Sequence, residues 1–261
     1  MIPKISMITI TYNSEKYLED TIKSVVSQNY PNLEYIIIDG GSKDHTLDIV
    51  NKYRDKIAHV VSEPDKGICD AFNKGIKAAT GDLIGIINSD DLQMPDALKT
   101  IAEHYDPEVD ILRGTIISWN DQTGARVTKR PIHPFSLATS YFLNGLNKKS
   151  VCHACSFISK AAYERWGVYQ LKYKYMMDRD LLTRFHQHGA KVKIIDHPLA
   201  ISRIGGVTTQ TPVHKKIKEV RNVCLDNGGS KLLAAYRCTE FVAYELMVST
   251  LKVLKKILKR K

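Results

Sequence analysis

The residues best suited to chemistry stand together at Asn88-Ser89-Asp90-Asp91, directly after the apolar run Ile84-Gly85-Ile86-Ile87. Such a run suits a strand buried on both faces. Carboxylates at the C-terminal end of that strand lie where open α/β sheets bind ligands. Adjacent acids in a crevice repel unless a cation or a proton sits between them. A hard divalent ion with oxygen ligands relieves that repulsion and commonly bridges a carboxylate to a diphosphate. Asp90 and Asp91 therefore point to a metal–nucleotide site at a sheet edge. The plainer reading is that one of them caps the helix starting near Pro95.

Three further stretches carry polar groups at strand ends: TITYN at 9–13, IIIDGGSKDHT at 36–46 and SEPDKGICDAFNKGIKAATGD at 62–82. The hydropathy pattern supplies the elements that would position them. Strands are predicted over 4–11, 33–39, 59–62 and 83–88, with helices over 15–28, 46–53, 68–79 and 95–105 between or after them. Alternation of this kind predicts an α/β fold with a parallel sheet and right-handed crossovers, which gathers the C-terminal strand ends along one crevice. After residue 106 the pattern changes. Segments 109–120 and 125–129 flank a hairpin turn, 131–150 reads as a loop over a site, and 152–159 reads as a strand. A short helix to Trp166, a helix over 178–188 and a last strand over 192–196 follow. Residues 214–261 are helical in pattern, interrupted at Asn227-Gly228-Gly229.

Composition narrows the classes. The chain has 261 residues with 43% hydrophobic and 25% charged content, as in a globular protein. No apolar run reaches the ~20 residues that span a bilayer, and the N-terminus enters a strand pattern without a signal-peptide core. Five cysteines, an odd number, suit a reducing compartment. These features favour the cytoplasm. Cys152-x-x-Cys155 lacks the second ligand pair that zinc needs. The formal charge of +10 favours polyanionic partners such as nucleic acid, anionic lipid or phosphorylated ligands.

Taken with INSDD, the three stretches resemble the nucleotide-sugar half of family-two glycosyltransferases of the bacterial surface-polysaccharide type. CHACSFISKAAYERWGVY at 152–169 and YKYMMDRDLLTRFHQHG at 173–189 extend the likeness over roughly residues 4–207. The resemblance implies a Rossmann-like, nucleotide-sugar-binding sheet of the GT-A type with a C-terminal helical extension. It implies a domain over 1–210, split into a nucleotide-sugar half (1–106) and an acceptor half (107–210), and a helical tail over 211–261. By position, Thr11 and Tyr12 line a base pocket and Glu15 lies near the ribose. Asp39 accepts a hydrogen bond from the base, or forms the turn before Gly40-Gly41. Lys66 partners the diphosphate or is a solvated loop lysine. Asn73 serves structure or donor contact.

Many relatives carry Asp where this chain has Asn88, which offers a carbonyl oxygen without charge. The direct metal ligand is therefore assigned to Asp91, with Asp90 as a ribose or metal contact and Mn²⁺ or Mg²⁺ as the ion. Asp178 is the expected base, able to take the proton of an attacking hydroxyl; its alternative is a helix cap. His153 and Trp166 fall on the acceptor side, where a structural histidine and a core aromatic are the alternatives. The loop over 202–209 has Gly205-Gly206 where some relatives carry a metal-binding histidine, so no such ligand is expected from it.

The resemblance thus implies an inverting, metal-dependent enzyme that moves a sugar from a nucleotide-diphospho-sugar to a hydroxyl of a lipid-linked glycan acceptor. The tail after Ser249 alternates Leu251, Leu254, Ile257 and Leu258 with six lysines and arginines. That pattern suits peripheral contact with an anionic membrane surface, here the inner face of the cell membrane, or packing on the body or another subunit. A Rossmann dehydrogenase is disfavoured by the lack of G-x-G-x-x-G after the first strand. A basic nucleic-acid-binding module is disfavoured by the absence of its motifs.

Overall fold

The computed structural model describes residues 2–131, 149–150, 152–205 and 211–258. Among these residues ten strands form one sheet: β1 (Ile5–Thr11), β2 (Leu33–Asp39), β3 (His59–Ser62), β4 (Leu83–Asn88), β5 (Leu92–Gln93), β6 (Ile111–Trp119), β7 (Arg126–Pro131), β8 (Lys149–Ser150), β9 (Ser156–Ser159) and β10 (Val192–Arg203). Their order is β3-β2-β1-β4-β9-β6-β10-β5, with β7 and β8 joined beside β6. The first four are mutually parallel, and β9 runs antiparallel to both β4 and β6. Among the described residues eight α-helices accompany them: α1 (Leu18–Val26), α2 (Thr46–Lys52), α3 (Ile68–Ala78), α4 (Ala97–Glu103), α5 (Lys160–Trp166), α6 (Met177–Gln187), α7 (Val213–Asp226) and α8 (Lys231–Leu258).

The apolar runs are explained by burial on both sheet faces. Ile8, Ile36, Ile38, Ile84 and Ile86 enter one core with Phe72 of α3, Leu181 and Phe185 of α6, Val220 of α7 and Phe241 of α8. Their neighbours Met7, Tyr35, Ile37, Leu83 and Ile87 enter the other, with Leu18 and Ile22 of α1, Val50 of α2 and Leu98 of α4. Successive strand residues point to opposite faces, so each strand feeds both cores. Helix α3 approaches β1 closely at Gly75, where a Cβ would come 2.5 Å from Ile8 Cγ2.

Strands β2, β3 and β4 and the hairpin of β6 with β7 lie where the sequence predicts them. Other expectations need correction. Residues 153–155 form a 3₁₀ turn, so β9 begins at Ser156 rather than at 152. Strand β10 continues through Pro198 to Arg203, seven residues beyond the predicted end, because it re-pairs with β6 after register shifts around Pro198. The predicted tail is not separate in its first part: α7 and Phe241 of α8 pack into the core. Of the expected loop over 131–150, Pro131 ends β7 and Lys149–Ser150 form β8, while residues 132–148 lie outside the described residues, as do 206–210 and 259–261. Among the described residues, no helix is long and apolar enough to cross a membrane.

The start of β2 carries a buried acid. Glu34 accepts from Lys4 Nζ (2.8 Å), Ser6 Oγ (2.6 Å) and Thr80 N (2.7 Å). Burial alone would raise its carboxyl, but the Lys4, Ser6 and Thr80 donors outweigh it and hold it down to about 2. The folded value lies below the ordinary one, so this stabilisation is complete above pH 4.5 and is lost as pH falls toward 2. Glu34→Gln is expected to cost on the order of 2–3 kcal/mol near neutral pH. Urea unfolding of both proteins between pH 7 and pH 2 checks this: the difference should shrink toward the acid end, and parallel profiles would contradict it.

Candidate active site

The parallel register brings the expected residues to one edge. Thr11 lies opposite Asp39, Asp39 opposite Ser62, and Ile10 opposite Asn88. Because β9 is antiparallel to β4, the turn that precedes it, with His153, lies at this same edge. Hydrogen bonds pin the loops together. Ser14 Oγ lies 2.8 Å from Ser89 Oγ, and Thr21 Oγ1 reaches the carbonyls of Ser89 (2.9 Å) and Asp91 (2.7 Å).

On the β1–β3 side, Tyr12 is 61% exposed, an open ring at the mouth of the crevice. Thr11 is buried, and its hydroxyl has no hydrogen-bond partner among the described residues. Glu15 Oε2 accepts from His45 N at 3.1 Å, joining the β1 loop to α2. Asp39, at the end of β2, is engaged by local groups. It is fully buried, and its oxygens already accept from Gly41 N, Ser42 N, Ser42 Oγ and Ser62 Oγ. This saturation matches the turn-forming alternative, because every lone-pair direction has a local donor. The sequence reading passed over Asp65. A Cβ on Gly40 would lie 2.6 Å from Asp65 Oδ2 and 3.3 Å from Tyr12 Cδ2, so a carboxylate occupies the space that Gly40 leaves beside the Tyr12 ring. Its adjacency to Lys66 in the Ser62–Gly67 loop was the available signal. Lys66 is exposed in that loop. Asn73 is structural: its amide exchanges hydrogen bonds with the backbone N and O of Tyr169.

At the end of β4, Asp91 is 3% exposed. Its Oδ1 accepts from Arg203 N at 3.0 Å rather than capping α4, which starts only at Ala97. Burial, and then the charge of Asp90, push the Asp91 carboxyl up to about 7. Burial also raises Asp90. Among the described residues no group of three or more His, Cys, Asp or Glu is arranged to hold a metal ion. Two repelling, oxygen-only donors nevertheless fit a hard divalent cation that takes its remaining ligands from diphosphate and water. Arg203 is a second residue that sequence reasoning missed. Its Nε donates to Asp90 O (2.8 Å), its Nη2 to Asp20 (3.1 Å), and its guanidinium lies over Tyr17 and Trp119. It became visible only when β10 proved long enough to reach this edge.

On the other side of the crevice, Asp178 stands in the first turn of α6. Its Oδ2 accepts from His153 N (3.2 Å) and faces His153 Nδ1 (3.0 Å), while Oδ1 is buried without a partner among the described residues. Asp178 is therefore not used as a helix cap, and no side-chain cap bond forms at the start of α6. Asp178, His153, Cys152, Ile86, Tyr163 and Tyr169 line one cavity. Burial opposes charge on His153, but Asp178 beside it pushes the imidazole up to about 9. The backbone before α6 is held from α7. Glu219 accepts from Lys174 N (2.9 Å), Tyr175 N (2.8 Å) and Met176 N (2.9 Å). Trp166 is not brought to this place. Its ring packs on Phe185 and stacks on His188, at the far end of α6 and about 10 Å along the helix from Asp178. That is the core-aromatic alternative.

A parallel sheet that turns antiparallel beyond β4, with an acidic pair at the turn and helices on both faces, is the GT-A type of glycosyltransferase fold. The family model of glycosyl transferase family 2 matches residues 6–167, and the chain belongs to that family. An uncharacterized glycosyltransferase of Mycobacterium tuberculosis is 33% identical over 184 residues, covering 70% of this chain and 68% of the relative. A PGL/p-HBAD biosynthesis glycosyltransferase of Mycobacterium bovis is 28% identical over 217 residues, 79% of each chain. The fold is similar to that of S. aureus TarS 1–349 in complex with UDP-GlcNAc, with TM-score 0.65, 20% identity, and coverage of 92% of this chain and 71% of that one. It is also similar to the mannosyltransferase PcManGT of Pyrobaculum calidifontis in complex with GDP-Man and Mn²⁺, with TM-score 0.63, 15% identity, and coverage of 100% and 81%.

Proposed function

We propose that this glycosyltransferase moves a sugar from a nucleotide-diphospho-sugar to a hydroxyl of a glycan acceptor, with inversion at the anomeric carbon. The observation that carries the reading is the convergence of Asp178 with the Asp90–Asp91 pair at one sheet edge, linked through His153 and Asn88. Asp178 takes the proton of the acceptor hydroxyl as its oxygen attacks the anomeric carbon. The bond to the diphosphate breaks, and its electron pair leaves with the nucleoside diphosphate. A single displacement inverts the centre. Asp91, with Asp90 beside it, would hold Mn²⁺ or Mg²⁺, which when bound neutralises the leaving diphosphate. Tyr12 offers a ring for the base, with Thr11 and Asp65 beside it. Glu15 lies toward the ribose and Lys66 toward the diphosphate. A panel of UDP- and GDP-sugars, assayed with and without Mn²⁺ and with product configuration read by NMR, tests this. Retained configuration would refute direct displacement.

We further read the acceptor as lipid-linked, with the catalytic body over 1–210 working at the inner face of the cell membrane in surface-polysaccharide synthesis. Supporting this, Leu232 and Tyr236, one turn apart on α8, are 81% and 58% exposed, and Leu246 is 63% exposed. The chain beyond residue 251 adds six basic residues. Deleting residues 249–261 is expected to weaken sedimentation with phosphatidylglycerol vesicles while leaving nucleotide binding unchanged. Each basic group near such a surface contributes about 1 kcal/mol, so raised salt should mimic part of the deletion. Equal, salt-insensitive partitioning of the two proteins would reject the membrane contact.

A further inference from the structure

We infer that His153 is the positioning residue of the base, holding Asp178 in place and aligned in turn by Asn88, so that the two sides of the crevice share one hydrogen-bonded relay. The inference rests on the reading of Asp178 as base. Its geometry is specific. His153 grips a single oxygen of Asp178, Oδ2, through both its backbone N (3.2 Å) and its ring Nδ1 (3.0 Å). The other oxygen, Oδ1, is left without a partner among the described residues and is the one free to accept a proton. The far ring nitrogen, Nε2, lies 3.2 Å from Asn88 Oδ1, and the same amide turns its Nδ2 toward Asp91 Oδ2 at 3.5 Å.

The residue type at position 88 now acquires a reason. An amide accepts on one atom and donates from the other. It can therefore take a hydrogen bond from the imidazole and offer one to Asp91. A carboxylate at 88 could only accept, and it would add a third acid beside Asp90 and Asp91. For Nδ1 to serve Asp178 and Nε2 to serve Asn88, both ring nitrogens must carry protons. The groups facing the ring are Asp178 from α6, Asn88 and Asp91 from the end of β4, Cys152 beside it in the turn, and Phe72 from α3.

A packing role is the competing explanation, because the ring also meets Phe72 edge-on at 4.8 Å. Two substitutions separate them. His153→Phe keeps an aromatic ring and removes both N–H groups. His153→Gln gives up the ring and keeps an N–H donor. Positioning predicts that His153→Phe binds UDP or GDP within about threefold of wild type yet loses about 100-fold in kcat, the scale of a 1 Å misplacement. His153→Gln should recover to within about tenfold of wild type on the same scale. The reverse ranking, with His153→Phe near normal, would overturn the inference. Asn88→Ala should lower kcat in the wild-type background and have little further effect in His153→Phe, as expected for members of one network; additive losses would overturn the relay. Failure of the base reading is distinguishable. Asp178→Asn with normal kcat sinks that reading, whereas an inactive Asp178→Asn beside a fully active His153→Phe sinks only the positioning.

Discussion

Asp178→Asn should reduce kcat by about 10³-fold while leaving nucleotide affinity within a few-fold of wild type. The substitution keeps the size of the side chain and an oxygen able to accept from His153 N, so the first turn of α6 and the Glu219 clasp before it persist. What disappears is an oxygen basic enough to take a proton. The β1–β3 loops that would hold the nucleotide contribute nothing to the contacts of Asp178, which come from His153. Calorimetric titration with UDP and GDP in the presence of Mn²⁺, set beside initial transfer rates, measures both quantities. A variant that loses nucleotide binding but turns over normally at saturation would show that Asp178 serves the donor rather than the proton.

Asp91→Asn should lower turnover by about 100-fold, equivalent to about 3 kcal/mol of leaving-group stabilisation. The fold should survive, because an amide oxygen still accepts from Arg203 N and the Thr21 contact is to the Asp91 backbone. The charge that pairs with a divalent ion is lost, so saturation should require more Mn²⁺. Thermal unfolding with Mn²⁺ and UDP titrated together gives an activity-free readout: the stabilisation seen in wild type should shrink in the variant. Unchanged turnover with an unchanged Mn²⁺ requirement would remove Asp91 from the metal.

Much of the sheet was legible because burial on both faces leaves an unbroken apolar run, as in LEYIIID and LIGII, and strand ends then place polar residues by simple counting. The Asp90–Asp91 pair could be named for the same reason, whereas Asp178, in the first turn of α6 rather than at a strand end, was named by resemblance. What escaped was set by distant contacts. Asp39 has the residue type of a ligand, but Gly41, Ser42 and Ser62 supply all its donors. The turn at 153–155 looked like more strand because Cys152, Ala154 and Cys155 are apolar. Arg203 and Glu219 act on partners more than forty residues away, and no local pattern announces such pairings. Trp166 was offered for its aromatic ring, which suits a sugar as well as a core, and α6 carries its contacts away from Asp178.

The Glu219 clasp has a consequence for how the enzyme comes into being. When a ribosome has released residues 1–210, the nascent chain already holds Asp90, Asp91, His153 and Asp178, yet the three N–H groups of the backbone entering α6 still lack the Glu219 carboxylate of α7 that accepts from them. Domains fold as units during synthesis, and here the unit is not complete until α7 has emerged. The late helix thus works as a built-in delay: a growing or prematurely terminated polypeptide carries the full set of reactive side chains without the scaffold that orders them.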